Sequence, residues 1–330
     1  MRKSWSTVAA GLALLATALP AAAFDLPGEW RSAHFRDNPL VGSIRTGEGK
    51  AVDMARLDAA LAGARYVLVG ETHDNPDHHR IQAAIVAGLA GRRPAVVFEM
   101  ITADEAPALA AFLAQPGRVA AGLGPAVRWT ERGWPDFAMY QPIVEAALGA
   151  GLTLLPGDLG RESVRAIGRK GRAAVSDTEA ARLGLDRAMP AEAEAALTLE
   201  LKESHCGMLP DKALPGMLMV QRARDGALAD ALMAAAVPTG AAVLIAGTGH
   251  VRRDWAVPAL IAAREPAAAV VSIGLLEVPS ADADLAALGI SDAEPAPYDF
   301  VLFTPKAEVS DPCAGMAEAM KGKAAPPSAP

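Results

Sequence analysis

Six short apolar runs, separated from one another by helical stretches, restrict the fold of this chain more than any other feature of its sequence. They are rich in valine, leucine and other strand-forming residues and lie at 66–70, 95–98, 152–155, 243–246, 270–273 and 300–303. Strands that are apolar throughout are typical of a parallel sheet, because helices cover both of its faces. We therefore predict an α/β fold with a mostly parallel β-sheet flanked by helices on both faces.

Helix signals fill the intervals between these runs. Asn75 and Pro76 supply a cap residue and a first-turn proline after the first run. Apolar residues at helical spacing predict further helices at 53–61, 106–114, 141–148, 190–204 and 218–235. The long interval before the fourth run has no strand pattern, so we predict a small all-helical sub-domain at about 160–236, inserted before the fourth strand. Residues 24–50 are interpreted as a lead-in segment outside the core, and the tail 321–330 is predicted to be disordered.

The N-terminus carries the pattern of an export signal. Basic residues precede an apolar stretch at 8–19, and three alanines at 21–23 fit a cleavage site. The apolar stretch is shorter than the ~20 residues that a spanning helix needs. We therefore predict a signal peptide at 1–23 and a mature α/β domain at 24–330. Because no cysteine lies near the cleavage site, we expect a soluble periplasmic or secreted protein that is not a lipoprotein.

Composition and charge exclude two other classes of protein. Hydrophobic residues make up 52% of the chain and charged residues 21%, which is a globular composition rather than a disordered one. The formal net charge is −7, and the sequence contains no basic stripe. Nucleic acid is therefore not expected as a partner.

The two cysteines, Cys206 and Cys313, both lie in the predicted mature chain. In an oxidising compartment an isolated pair most often forms a disulfide, which is the interpretation that we favour. Cys206 directly follows His205, so a role at a metal or at the edge of a haem is the alternative.

Ionisable residues collect where the predicted strands end. The first strand ends at Glu71 and His73, the second at Glu99, the third at Asp158, and His250 follows the fourth. Ligands of open parallel sheets bind beyond the carboxyl ends of the strands. We therefore predict a functional site at this edge, built from several strands.

The residue types at this edge allow two kinds of chemistry. Histidines carry protons or bind ligands near neutral pH, and two nearby glutamates repel each other unless a cation or a shared proton lies between them. The pattern favours either metal-assisted hydrolysis or a polar clamp on a ligand. Glu71, His73, Glu99 and His250 are accordingly both the candidate catalytic residues and the candidate ligands of a divalent metal such as Mn or Zn.

Neighbouring residues complete the predicted edge. Gly70, Gly247 and Gly249 are expected to let the backbone turn sharply where the strands end. Either His79 or Gln82, in the first turns of the helix after the first strand, is predicted to face the site, whereas His78 is predicted to be exposed. No phosphate loop, serine-hydrolase elbow or helical His-Glu-x-x-His zinc motif is present.

Five ordered motifs carry a resemblance to a known family. They are the segments 69–79, 98–100, 134–143, 221–225 and 247–251. Together they resemble the ChaN-like haem-binding proteins, whose domain belongs to the Tiki/TraB/erythromycin-esterase superfamily. The resemblance implies a parallel sheet flanked by helices with a small helical domain, and haem as the ligand.

The resemblance also implies partners and site residues. ChaN-like proteins serve iron uptake and hold haem in a pocket shared by two subunits, so a homodimer and an outer-membrane uptake partner are expected. A tyrosine holds the iron there with a histidine nearby, which makes Tyr140 the candidate ligand and His205 the alternative axial ligand. The position of the helical motif implies a site role for Arg222 and Asp225.

The enzymatic branches of the superfamily imply hydrolysis instead. They use paired glutamates, histidines and an arginine, and the matching positions here are Glu71, Glu99, His73, His250 and either Arg222 or Arg224.

Overall fold

The computed structural model describes residues 24–310 and 313–314. The predicted signal peptide at 1–23 and the predicted disordered tail at 321–330 both lie outside these residues.

Within the described residues an eight-stranded sheet forms the centre of the fold, with the order β2-β1-β8-β7-β3-β6-β4-β5. Its strands are β1 (Ile44–Thr46), β2 (Ala51–Val52), β3 (Tyr66–Glu71), β4 (Ala95–Thr102), β5 (Leu154–Asp158), β6 (Ala242–Gly247), β7 (Val270–Glu277) and β8 (Phe300–Thr304). The six predicted strands are β3 to β8, and they pair in parallel. The predicted fold class is therefore confirmed.

Helices cover both faces of the sheet. They are α1 (Met54–Gly63), α2 (Pro76–Gly88), α3 (Ala106–Leu113), α4 (Leu123–Ala126), α5 (Phe137–Gly149), α6 (Arg161–Lys170), α7 (Asp177–Leu183), α8 (Ala191–Ser204), α9 (Leu214–Thr239) and α10 (Val257–Arg264). Val67 and Val69 of β3 point into the core under α1, α2, α3 and α5, whereas Leu68 points into the core under α9 and α10. None of the described helices combines the length and the apolar character needed to cross a bilayer.

The interpretation of residues 24–50 as a segment outside the core is wrong. Ile44 is buried, and β1 pairs antiparallel with β8 on one side and with the edge strand β2 on the other. The buried carboxylate of Asp77 accepts hydrogen bonds from the backbone N–H groups of Arg31 and Ser32. Short strands at a sheet edge are fixed mainly by backbone hydrogen bonds, so an apolar pattern does not reveal them.

Four helices, α6 to α9, form the helical sub-domain inserted before β6. Small separate cores hold it together, one around Ile167 and Leu183 and another around Leu197 and Trp255. Helix α9 is 26 residues long, and its second half, with Leu228, packs on the sheet. In the loop after α8, Cys206 forms a disulfide with Cys313, with the two Cα atoms 5.5 Å apart.

The glycines at the strand ends serve close packing and not sharp turns. Gly70, Gly247 and Gly249 all lack the positive φ that a glycine-dependent turn requires, so the sequence-based interpretation is wrong on this point. Instead, a Cβ atom on Gly70 would collide with Val251 Cγ2 and would lie 2.8 Å from the Thr248 Cα atom.

We expect Gly70→Ala to lower the free energy of unfolding by about 1–3 kcal/mol, because the backbone after β6 would have to move away from β3. Urea unfolding followed by circular dichroism measures this change. Gly63→Ala is the matched control, since a Cβ atom there meets nothing within 4 Å. Equal unfolding free energies for the two variants would show that the space beside Gly70 is not restricted.

Candidate functional site

The carboxylate of Glu71, at the end of β3, lies at the centre of one half of the site. It is buried and accepts hydrogen bonds from the Tyr140 hydroxyl at 2.6 Å and from His73 Nδ1 at 2.8 Å. His79 Nδ1, from the first turn of α2, lies 3.1 Å from its other oxygen. Burial alone would raise the pKa of Glu71, but the charge on His79 and the hydrogen bonds from both histidines lower it to about 2. Glu71 is therefore an anion that orients two imidazoles.

His78 is fully buried, so the prediction that it is exposed is wrong. Its Nδ1 accepts the Thr72 backbone N–H at 2.8 Å, and its Nε2 lies 2.9 Å from the Thr304 hydroxyl. Burial, together with the charge on His79, lowers its pKa to about 3, so the ring is neutral. A neutral imidazole can accept at one nitrogen and donate at the other. His78 therefore fixes the loop between β3 and α2, and its ring nitrogens are not free for chemistry.

The second half of the site is built around Glu99, near the end of β4. Its two carboxylate oxygens accept hydrogen bonds from Arg224 Nη2 and from the Gly247 backbone N–H, each at 2.7 Å. Arg224 also bonds Asp158 at the end of β5. Burial would raise the pKa of Glu99, but the charges on His250 and Arg224 hold it well below its usual range. Side chains or backbone from the ends of β3, β4, β5 and β6 thus converge, and we call this edge the rim.

His250, just beyond β6, is held between two carboxylates. Its Nδ1 lies 2.6 Å from Asp225 Oδ1, and its Nε2 lies 3.4 Å from Glu99 Oε1. Burial disfavours the charged ring, but Glu99 and Asp225 together raise its pKa to about 10. His250 is therefore an imidazolium at neutral pH.

His73 joins the two halves and is the most exposed of the rim histidines. Its side chain is 35% exposed, against 6% for His250 and none for His79. Its Nδ1 bonds Glu71, and its Nε2 lies 3.9 Å from Glu99 Oε1. The Trp134 ring meets it edge-on, with ring centroids 5.0 Å apart. Burial opposes the charged ring, but Glu71 and Glu99 raise the pKa of His73 above its usual value.

The structure brings most of the predicted site residues together. Glu71, His73, Glu99 and His250 meet at the rim; His79 contacts Glu71 and the backbone of His73, and Asp225 contacts His250. Tyr140 also reaches the rim, but its side chain is fully buried beneath Glu71.

Two of the predicted site residues make their described contacts away from the rim. His205 caps the end of α8, where its Nδ1 lies 2.8 Å from the Leu201 carbonyl oxygen. Arg222 donates to the carbonyl oxygens of Leu185 and Arg187. The arginine that binds the rim carboxylates is Arg224, so the preference for Arg222 is wrong. Two residues along a helix point in directions about 200° apart, and no pattern in the sequence says which of them faces Glu99.

Trp134 is a rim residue that the sequence did not reveal, because a tryptophan near a helix start is equally typical of core packing. Trp134 is the first residue of the 134–143 segment, and this position is the only sequence signal of its place at the rim.

The hypothesis of a bound metal is not supported. Among the described residues no group of three or more His, Cys, Asp or Glu side chains is arranged to hold a metal ion. Glu99 is the central member of the predicted ligand set, and its oxygens are already bonded to a guanidinium and a backbone N–H. A divalent cation would have to share these oxygens with the Arg224 guanidinium and the Gly247 N–H group.

Comparisons with known proteins bear on this site. The family model described as haem-binding uptake, Tiki superfamily, ChaN matches residues 57–261. The solved structure of cofacial heme binding to ChaN of Campylobacter jejuni has a TM-score of 0.61 and 20% identity, and the match covers 78% of this chain and 95% of that one. An erythromycin esterase mutant in its open conformation has a TM-score of 0.44 and 14% identity, covering 82% and 99%. No curated protein sequence matches the chain.

Proposed function

Because the chain belongs to the ChaN haem-binding uptake family of the Tiki superfamily, we propose that it binds haem at the rim, with His73 as the iron ligand. The observation that carries this assignment is the exposure of His73, whose imidazole reaches solvent while its Nδ1 is held by Glu71. A carboxylate bonded to one ring nitrogen fixes the tautomer and makes the other nitrogen a better metal ligand. Bound haem would supply an iron that accepts this nitrogen and a flat apolar surface for Trp134.

The tyrosines do not fit as iron ligands in this conformation. Tyr66 and Tyr140 are 0% exposed, and Tyr298 is 7% exposed. Their hydroxyl groups already donate to Glu265, to Glu71 and to a backbone carbonyl, respectively. Iron binds the ionised phenol, and burial together with the Glu71 charge raises the pKa of Tyr140. We therefore assign to His73 the role that the family resemblance gave to Tyr140.

The proposal extends to where and how the protein acts. Removal of residues 1–23 would release the mature domain into the periplasm or the medium, where it would take part in haem uptake. A homodimer that closes over the exposed edge of His73 and an outer-membrane uptake partner belong to the same proposal. The helical sub-domain at about 160–236 would roof the rim, since Gln221 lies 3.2 Å from His250.

Titration of the haem-free mature protein with haem tests this assignment. We expect a saturable Soret band, and we expect His73→Ala to weaken binding about tenfold or more and to shift the band, because an iron ligand is lost. His205→Ala is the control and is expected to keep the wild-type spectrum, whereas Tyr140→Phe, which removes a hydrogen bond to Glu71, is expected to change the spectrum far less than His73→Ala.

Two outcomes would contradict the assignment. An unchanged spectrum in His73→Ala together with a shifted one in Tyr140→Phe would place the iron on Tyr140 and require the rim to open. The absence of any saturable Soret band in the wild-type protein would reject haem binding itself.

A further inference from the structure

Helix α6 carries a row of basic side chains, although the chain as a whole has a net charge of −7. Arg161, Arg165 and Arg169 follow one another at four-residue spacing, so they lie on one face of the helix. All three are exposed, whereas Ile167, on another face, packs into the core of the helical sub-domain. Glu162 is the one acidic residue of α6. The arginine row is therefore a surface feature that is not needed to pack α6 against its neighbours.

The arginines of the row have no ion-pair partner among the described residues. Arg132, Arg172 and Arg224 make the ion pairs of this region instead. Asp104 lies beside the start of the row, but it accepts the backbone N–H of Arg161 at 2.8 Å. Like charges four residues apart slightly destabilise a helix, so the row is unfavourable for α6 itself unless an anion binds it.

The N-terminal end of the row lies close to His73. His73 Nε2 is 3.9 Å from Glu99 Oε1, and Arg224 Nη2 is 2.7 Å from the same oxygen and 2.6 Å from Asp158 Oδ2. Only two side chains therefore separate the exposed histidine from Asp158 at the end of β5. Arg161 begins α6 three residues later in the chain.

The loop that carries Trp134 is near the same end of the row. Burial lowers the pKa of Arg132 against the effect of Glu105, and the charge on Arg161 contributes to the lowering. Arg132 and Arg161 are thus within electrostatic range of each other. Arg132 lies two residues before Trp134, whose ring meets His73 edge-on. The exposed imidazole, the indole ring and the first arginine of the row therefore belong to one region of the rim.

The chemistry of haem fits an arginine pair in this position. Haem carries two propionate groups on one edge of an otherwise apolar ring, so a protein that binds its iron also meets two neighbouring carboxylates. An arginine guanidinium offers a carboxylate two parallel N–H donors. Side chains four residues apart on a helix have Cβ atoms about 5–6 Å apart, which suits two carboxylates on one edge of a ring.

We propose that Arg161 and Arg165 bind the two propionates of a haem whose iron is bound by His73. This inference rests on the proposed function and adds to it the residues that recognise the anionic edge of the ligand. The arginine pair orients the ring with its propionate edge towards α6 and favours a porphyrin with free carboxylates over a neutral one.

Titration of the haem-free mature protein with haem and with haem dimethyl ester tests the inference. The ester has the same iron and the same ring, but its propionates carry no charge. In one mixture of buffer and dimethyl sulfoxide, we expect the ester to bind about fivefold to tenfold more weakly than haem, because two exposed ion pairs are lost. The Soret band is expected at the same wavelength for both, since the iron ligand is unchanged.

Three double variants test the location. Arg161→Gln/Arg165→Gln is expected to weaken haem binding by the same factor and to leave binding of the ester unchanged. Arg161→Lys/Arg165→Lys keeps both charges and is expected to retain most of the affinity for haem. Arg169→Gln/Lys170→Gln is the matched control, because it removes the same charge from the far end of α6, and it is expected to change the affinity about twofold at most. Circular dichroism checks that each variant is folded.

The outcomes separate this inference from the proposed function. Equal affinity of the wild-type protein for haem and its ester, or equal weakening by the two glutamine double variants, would overturn the inference and leave haem binding at His73 intact. The absence of a saturable Soret band with both porphyrins would overturn the inference together with the proposed function.

Discussion

Glu99→Ala is expected to lower the free energy of unfolding by about 3–5 kcal/mol, because it removes one partner from a buried ionic network. Glu99 neutralises Arg224 and His250 and accepts the backbone N–H of Gly247. With alanine in its place, two cations would face each other without a carboxylate between them, and a buried N–H would lose its acceptor. Urea unfolding of the mature protein at pH 7, followed by circular dichroism, measures the loss.

Two further variants are compared with Glu99→Ala. Glu99→Gln keeps the volume and one acceptor oxygen, so its loss is expected to be intermediate. Glu131→Ala removes a carboxylate that is 71% exposed and paired with Arg128, and it is expected to change stability little. If Glu99→Ala cost no more than Glu131→Ala, the network at the rim would contribute nothing to the fold.

The free energy of unfolding is expected to fall as the pH rises from about 6.5 to about 10. The pKa of His250 is about 10 in the folded protein, against 6.5 for an ordinary histidine, so the folded state holds a proton in this range that the unfolded state has lost. One such proton gives a slope of about 1.4 kcal/mol per pH unit. His73 and His79 have raised pKa values as well and contribute in the same direction.

Below pH 6.5 the pH dependence is reversed, and the free energy of unfolding falls as the pH falls. The pKa of His78 is lowered to about 3 and that of Glu71 to about 2, so stability is also lost as the pH falls below 6.5 and then below 4.5. Maximal stability is therefore expected near pH 6.5. Urea unfolding at a series of pH values measures both limbs.

His250→Asn separates the contribution of one group from the rest. This variant is expected to be less stable at pH 7 and to have a shallower slope between pH 7 and 10, because the imidazolium is gone. His34→Gln replaces a half-exposed histidine in the N-terminal segment and is expected to keep the wild-type slope. If His250→Asn kept the same slope as well, the charge on His250 would not be linked to folding.

The strands and most helices could be predicted because their signals are local. An apolar run at 66–70 is buried wherever a parallel sheet forms, and Asn75 caps α2 through bonds to residues two and three positions away. The convergence of Glu71 and Glu99 was also predictable, since parallel strands end at the same edge of a sheet.

The chemical state of the site depends on contacts between distant parts of the chain. Tyr140 donates to a residue 69 positions away, and Arg224 binds one that is 125 positions away. Neither a helical period nor a motif says which side chain of a helix will meet a given strand, so Arg222 and Tyr140 were assigned roles that their surroundings do not allow. His78 was misjudged for the same reason, because Thr304 of β8 covers it.

The residue pattern alone thus predicts that six parallel strands bring glutamates and histidines to one edge. That outcome follows from hydrophobic periodicity and from the common direction of parallel strands. The tertiary structure alone decided which of these groups are charged, which are enclosed and which remains open to a ligand. Ionisation and exposure are set by burial and by neighbouring charges, and the folded chain supplies both from elements far apart in the sequence. His73 remains accessible to solvent because its ring lies at the exposed side of the rim, whereas His79 and His250 are enclosed by α5 and α9.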